Sequence, residues 1–241
     1  MDTAPWVSLF SGGKDSSWAL YQALENEYPV ERLVTVHPDG DSYMYHVPAT
    51  ELAQLAARSI DIELLAVRPD SFETSSVKDV SEQGDAELIP LERTLKELAA
   101  DIGPIGGVTV GAVESDFQND RVQAMCERLG ADVYAPLWHE PPRELATAMI
   151  DAGFEITIVQ VAAYGLDESW LGRTLDHAAI DELVALNEEY GVHVLGEGGE
   201  YETLVTDGPH MDVPIELDYE TEFDPSATRG RLQITDAWLV D

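Results

Sequence analysis

SGGKDS, residues 11–16, is the stretch from which the fold can be read. WVSLF at 6–10 precedes it, an apolar run with the character of a buried strand. Trp18, Leu20, Ala23, Leu24 and Tyr28 follow at helical spacing, with Ser16 and Ser17 available to the first turn. The segment reads as strand, tight turn, helix start. Such a turn gathers backbone N–H groups at the positive end of a helix, where an anion binds well. Gly12 and Gly13 permit a sharp bend and a close approach to a ligand. Lys14 adds a point charge, and Ser11 and Ser16 add hydroxyl donors. The expected ligand carries phosphate; a Gly-Gly turn without a ligand is the competing reading.

The common nucleotide-triphosphate loop does not fit, because Ser8 stands at its first glycine position and Asp15 follows the lysine. SGGKDS instead resembles the pyrophosphate loop of the N-type ATP pyrophosphatases. That resemblance implies an enzyme splitting ATP into AMP and pyrophosphate.

Composition narrows the field. The chain has 241 residues, long enough for one large or two small domains around a substantial core, and 44% are hydrophobic. No apolar run reaches the length of a membrane span and no basic-then-apolar leader opens the chain, so a cytoplasmic protein without a membrane partner is expected. The lone Cys126 shares a helical face with Val122, Met125 and Leu129, which suits packing better than catalysis. There are 47 acidic against 13 basic residues, a net charge of −34. The acids are interleaved with apolar residues, which argues against disorder. An acidic, lysine-poor surface over an ordinary core suits a salt-loaded cytoplasm such as that of halophilic archaea; an acidic protein with a basic partner is the alternative. Nucleic-acid binding is disfavoured, since phosphate neutralisation needs clustered Lys and Arg. Lysine occurs only at Lys14, Lys78 and Lys96, and one of these lies in the phosphate loop.

Along the chain, strands are expected at 33–37, 62–67, 108–113 and 131–137, with helices around 52–60, 88–98 and 120–129. Residues 70–84 read as a polar loop, a candidate lid. The alternation predicts an α/β fold, a doubly wound parallel sheet. Ligands in such sheets lie beyond the carboxyl ends of the strands. Three segments meet that rule: the phosphate loop, residues 37–39 and residues 111–116. His37 and Gly111 are thereby placed near the adenine and ribose, although His37 reads equally well as a solvent-facing strand end. Pro141-Pro142 suggests a junction, giving a nucleotide domain at 1–138 and a second, smaller α/β domain at 139–241. In the latter, helices are expected around 145–152 and 180–186, strands at 154–161 and 192–195, and antiparallel strands at 201–206, 213–217 and 232–240.

GEGGEYET at 196–203 is the second constellation. Its glycines permit close approach, and Glu197, Glu200 and Glu202 are candidates to hold Mg²⁺, ammonium or a substrate amine; a solvated acidic turn is the plain alternative.

Taken together, the phosphate loop, GAVESDFQNDRV (111–122), PLW (136–138), LGR (171–173) and GEGGEYETLVTDGP (196–209) resemble the diphthine–ammonia ligases. The resemblance runs from residue 6 to about 215, and the late motif is its most specific part. One departure is Phe117, where the pattern has a tyrosine.

The resemblance implies the last step of diphthamide synthesis. ATP, with Mg²⁺, activates a carboxylate on a modified histidine of translation elongation factor 2, and ammonia displaces AMP. It implies ATP contacts from Ser11, Gly12, Gly13, Lys14, Asp15, Ser16, His37 and Gly111. Lys14, Asp15, Glu197 and Glu200 become catalytic candidates, with Asp15 also a metal contact and Glu197 or Glu200 a base for ammonia. Ser115, Gln118, Arg121, Trp138, Trp170, Gly198, Gly199, Tyr201 and Glu202 become substrate-binding candidates. Trp138, Tyr164, Trp170 and Tyr201 are candidate aromatic faces for a quaternary ammonium. The chain is too short for a linked glutaminase and Cys126 reads as buried, so ammonia is expected from solution. The oligomeric state, a homodimer included, stays open.

Three rivals remain at this level. A sulfur-transfer enzyme needs cysteine or cluster chemistry and a basic RNA face, which one cysteine and −34 disfavour. Another amidating synthetase, or a regulatory ATP-binding module without turnover, would use the same loop.

Overall fold

The computed structural model describes residues 4–36, 49–67, 80–114 and 116–240, with the side chains of 49–50, 80–87 and 116–118 also left aside. His37, Ser115, the side chain of Gln118 and residues 70–79 of the expected loop therefore lie outside the described residues.

The first sheet is parallel and five-stranded. Its strands are β1 (Trp6–Leu9), β2 (Val30–Val36), β3 (Leu64–Val67), β4 (Gly107–Thr109) and β5 (Asp132–Tyr134), in spatial order β3-β2-β1-β4-β5. Helices α1 (Lys14–Glu25), α2 (Ala49–Ile60), α3 (Val80–Ile102) and α4 (Asp116–Leu129) connect them. This is the doubly wound α/β arrangement expected from the alternation. The strand order reverses between β1 and β4, which opens a crevice at their carboxyl ends. Residues 80–84, expected in a loop, open α3 instead. Their polarity hid a helix end because few apolar residues mark the first turns.

One side of this sheet packs Val7, Val34 and Val108 against Leu91, Leu95, Met125 and Cys126. Burial pushes the Cys126 thiol up to about 11, so it is inert packing. The other side packs Phe10 and Leu33 against Leu20 and Ala23 of α1 and Leu55 and Ala56 of α2.

The second sheet is antiparallel. β6 (Glu155–Val161), β7 (Tyr201–Asp207), β8 (Ile215–Asp224) and β9 (Arg229–Leu239) lie in the order β7-β6-β9-β8. α5 (Pro142–Asp151) and α6 (His177–Tyr190) accompany it. Pro142 occupies the first turn of α5, where its missing N–H costs nothing. Asp176 caps α6 through Ala179 N–H, and Gly191 ends it in the left-handed region at φ 76°. The expected strand at 192–195 does not form; that segment runs straight into the turn at Gly196.

α1 is wedged between the two sheets. Trp18 and Ala19 join the second core of Ile156, Ile158, Ile180 and Leu204, while Leu20 and Ala23 join the first. This two-sided burial fixes where the helix begins, and hence where the SGGKDS turn sits.

Candidate active site

The SGGKDS turn is closed by its own hydroxyls. Ser11 N–H donates to Ser16 Oγ at 3.2 Å, the two hydroxyls stand 3.1 Å apart, and Ser16 Oγ donates to Gly13 O at 3.1 Å. Gly12 takes φ 84°, a left-handed conformation that an L side chain rarely adopts. Gly13 is the N-cap of α1 and makes no side-chain cap hydrogen bond. Gly111, after β4, permits the close approach of the next loop. A Cβ there would stand 2.7 Å from the Asp15 carbonyl carbon.

β7 clamps the turn from the other side. Lys14 N–H donates to Thr203 Oγ1 at 3.2 Å, and Val205 N–H donates to Gly12 O at 2.9 Å. The two sequence motifs, almost two hundred positions apart, therefore touch. Thr203 was part of the quoted motif but had no assigned role; nothing in spacing marks a cross-sheet acceptor.

A cavity of 570 Å³ opens over this junction. Ser11, Gly13, Asp15 and Ser16 form one wall, Gly111, Arg121 and Glu197 another, and Val36, Leu88, Leu91, Val110 and Ala112 an apolar end. It lies at the carboxyl ends of β1, β2 and β4, as the fold rule requires. Phosphate donors at one end and an apolar slot at the other suit a nucleotide.

Lys14 is not among the residues lining it. Its ammonium, 4% exposed, donates to Asp15 Oδ2 at 2.8 Å and stands 5.3 Å from the centre of the Tyr201 ring. It acts from beneath, as the counter-ion of a carboxylate that reaches the cavity. The other oxygen, Asp15 Oδ1, is buried without a hydrogen-bond partner among the described residues. A hard carboxylate oxygen beside a phosphate site fits Mg²⁺, which commonly takes one or two carboxylates plus substrate phosphates.

The three glutamates of the acidic loop part company. Glu197 reaches the cavity. Partial burial, then the nearby Asp15 carboxylate, push its carboxyl above the usual range, while Lys14 and the N–H of Glu114 pull the other way. Glu200 holds the loop together: Oε1 accepts from His193 N–H at 3.0 Å and Oε2 from Gly198 N–H at 2.8 Å. Glu202 is exposed and pairs across the sheet with Gln160, 3.4 Å from its amide nitrogen. Glu197, Glu200 and Glu202 thus do not converge on one cation. Among the described residues, no cluster of three metal-ligating side chains exists.

Nor do the aromatic candidates assemble. Trp170 is 4% exposed in the second core, with the Arg173 guanidinium 4.5 Å over its ring. Tyr201 is buried, its hydroxyl donating to Val194 O at 2.6 Å and one face facing Lys14. Trp138 stacks on His139 with centroids 4.3 Å apart, and the exposed Tyr164 meets Tyr190 edge-on. Gly198 and Gly199 are exposed at the loop tip.

Two family models match the chain: the diphthamide synthase N-terminal domain over residues 5–133 and the diphthamide synthase C-terminal domain over 141–240. The chain is 36% identical over 224 residues to a diphthine–ammonia ligase of Mus musculus, covering 88% of this chain and 82% of that one. It is 34% identical to the Homo sapiens diphthine–ammonia ligase with the same coverage. A longer relative of that name from Saccharomyces cerevisiae is 31% identical, with 33% of its length covered. Among solved structures, a predicted subunit of tRNA methyltransferase from Methanocaldococcus jannaschii aligns at TM-score 0.48 and 20% identity, over 86% of this chain and 98% of that one.

Proposed function

The chain belongs to the diphthamide synthase family, and on that premise we propose that it joins ammonia to the carboxylate of diphthine on translation elongation factor 2, consuming ATP. The observation that carries this reading is the shared cavity: the phosphate turn and Glu197 of the acidic loop face one hollow.

A carboxylate is a poor electrophile because its leaving group would be oxide or hydroxide. Attack of a carboxylate oxygen on the α-phosphorus of ATP forms an acyl-adenylate and expels pyrophosphate. Ammonia then adds to the acyl carbon, and AMP leaves with that oxygen. The chain's part is positioning and charge stabilisation. The slot of Val36, Leu88, Leu91, Val110 and Ala112 suits the adenine. The phosphates rest on the α1 N-terminus and the hydroxyls of Ser11 and Ser16. Asp15 Oδ1 would hold Mg²⁺, which would supply positive charge at the phosphates. Lys14 offsets Asp15 and Glu197 from below, so the polyanion meets a less negative wall. Arg121, on the opposite wall, meets the phosphates or the incoming protein. Glu197, with its raised carboxyl, takes the proton that the attacking ammonia must shed. Glu200 has both oxygens committed to the loop and is assigned a supporting role only.

The test is a purified reaction holding ATP, ammonium and elongation factor 2 with the unamidated residue. AMP and pyrophosphate should form in step with the amide, and glutamine should not replace ammonium. AMP release at the same rate without the factor, or full activity on glutamine, would overturn the reading.

A further inference from the structure

Glu197 is the one acidic-loop carboxylate at the cavity, and it hangs on a turn with no regular secondary structure. Something must hold it. His193, read in sequence as part of a strand, stands at the centre of that turn. Its Nδ1 accepts from Leu195 N–H at 3.1 Å and from Glu197 N–H at 3.4 Å, and its carbonyl accepts from Gly196 N–H at 2.9 Å. An Nδ1 that accepts leaves the proton on Nε2. Nε2 faces Glu114 Oε2 at 3.5 Å, on the loop between β4 and α4. The main chain of Glu114 also faces Glu197, its N–H favouring the charged form of that carboxyl. Glu114 thus faces His193 with its side chain and Glu197 with its main chain, while His193 holds the main chain of Glu197.

We propose that His193 and Glu114 form a positioning latch that joins the β4–α4 loop to the acidic loop and aims the Glu197 carboxylate at the reacting centre. The latch rests on the proposed ligase reading for its effect on turnover, but not for its existence. The Glu114 contacts cross between the two halves of the chain while the His193 bonds brace its own loop, and together they fix the angle at which Glu197 meets the phosphate turn. Neither His193 nor Glu114 is among the residues lining the cavity; both act through Glu197.

Two measurements separate the latch from the reading it rests on. Amide hydrogen exchange in the ligand-free protein needs no catalysis. Leu195 and Glu197 should exchange at least about tenfold faster in His193→Ala and in Glu114→Ala, while Glu114→Gln, which keeps an acceptor for Nε2–H, should stay near the parent. Unchanged exchange in both alanine variants refutes the latch whatever the enzyme acts on. In turnover, His193→Ala should lower kcat by about 10- to 100-fold with the KM for ATP little changed, since a misplaced group near the reaction costs that much. Made on top of Glu197→Gln, the same substitution should cost little more. An equal loss in both backgrounds would show that His193 does not act through Glu197 and would end the proposal. His193→Asn, whose amide oxygen replaces Nδ1 as acceptor, should recover part of the loss.

Discussion

At the scale of single residues, the site depends on atoms that must be absent as much as on those present. Gly111→Ala places a Cβ at 2.7 Å from the Asp15 carbonyl carbon, and neither backbone can yield freely. Overpacking of this kind costs about 1–3 kcal/mol, and here it pries the phosphate turn from its neighbour. AMP formation should fall by more than about tenfold, measured at saturating ATP. Lys14→Ala leaves Asp15 and Glu197 without their counter-ion and should cost more, about 100-fold or greater in the same assay. The strand–turn–helix placement of Gly12, Gly13, Lys14 and Asp15 was legible in the sequence, whereas the burial of Lys14 beneath the cavity was not, because spacing does not show which side of a turn a side chain takes. His193 was not, because an apolar flank, Val192, Val194 and Leu195, reads as strand and only the fold shows that it turns. His210 carries a separate prediction. Both its ring nitrogens are buried without a partner among the described residues, and its ring stacks on Phe154 at 5.1 Å. Burial lowers its pKa to about 4. The folded state therefore keeps it neutral while the unfolded chain takes up a proton below about 6.5. Its contribution is nil above that pH. As pH falls from 6.5 to 4 it destabilises progressively, up to roughly 3 kcal/mol. His210→Phe should flatten the loss of thermal midpoint between pH 7 and 4.5; an acid profile parallel to the parent's would refute this.

At the scale of elements, the walls of the cavity are held as pairs. α3 and α4 line one side of the cavity and are tied through Glu92, which accepts from Arg128 at 2.6 Å and from Lys96 at 2.6 Å. The Arg128 and Lys96 bonds hold the Glu92 carboxyl down at about 2. Its stabilisation is present above about 4.5 and is lost as pH falls toward 2. Partly exposed networks of this kind contribute about 1 kcal/mol, so Glu92→Gln should lower the midpoint by about 2–4 °C at low salt and less at high salt. The parallel strands were legible because short β-branched runs alternate with helical periodicity. Their lengths were not: β4 and β5 each keep three residues, because an apolar run marks burial and not where ladder pairing ends. Residues 80–84 differ from the expected loop because a polar helix start carries the same composition as a loop.

At the scale of the molecule, the halves matched by separate family models are not separable bodies. Leu52, Val113 and Leu137 from the first half are buried in the second core, and Ile215 from the second is buried in the first. Ser59 on α2 adds a two-way hook, its hydroxyl bonded to Val213 O and accepting from Val213 N–H at 3.2 Å. A fragment of residues 1–138 should therefore lack a cooperative thermal transition; a sharp one would contradict this shared-core account. The charge of −34 belongs to the whole surface, and at about 0.1 M salt repulsion acts over roughly 10 Å, shrinking to about 3 Å at 1 M. The midpoint should rise steadily with KCl across that range. The account's central claim is that the shared cavity activates a carboxylate on phosphorus. Elongation factor 2 carrying ¹⁸O in the unamidated carboxylate tests it directly, by mass spectrometry of the AMP formed with ATP and ammonium. The account predicts one labelled oxygen in each AMP released during amide formation; unlabelled AMP, with amide still formed, would contradict it.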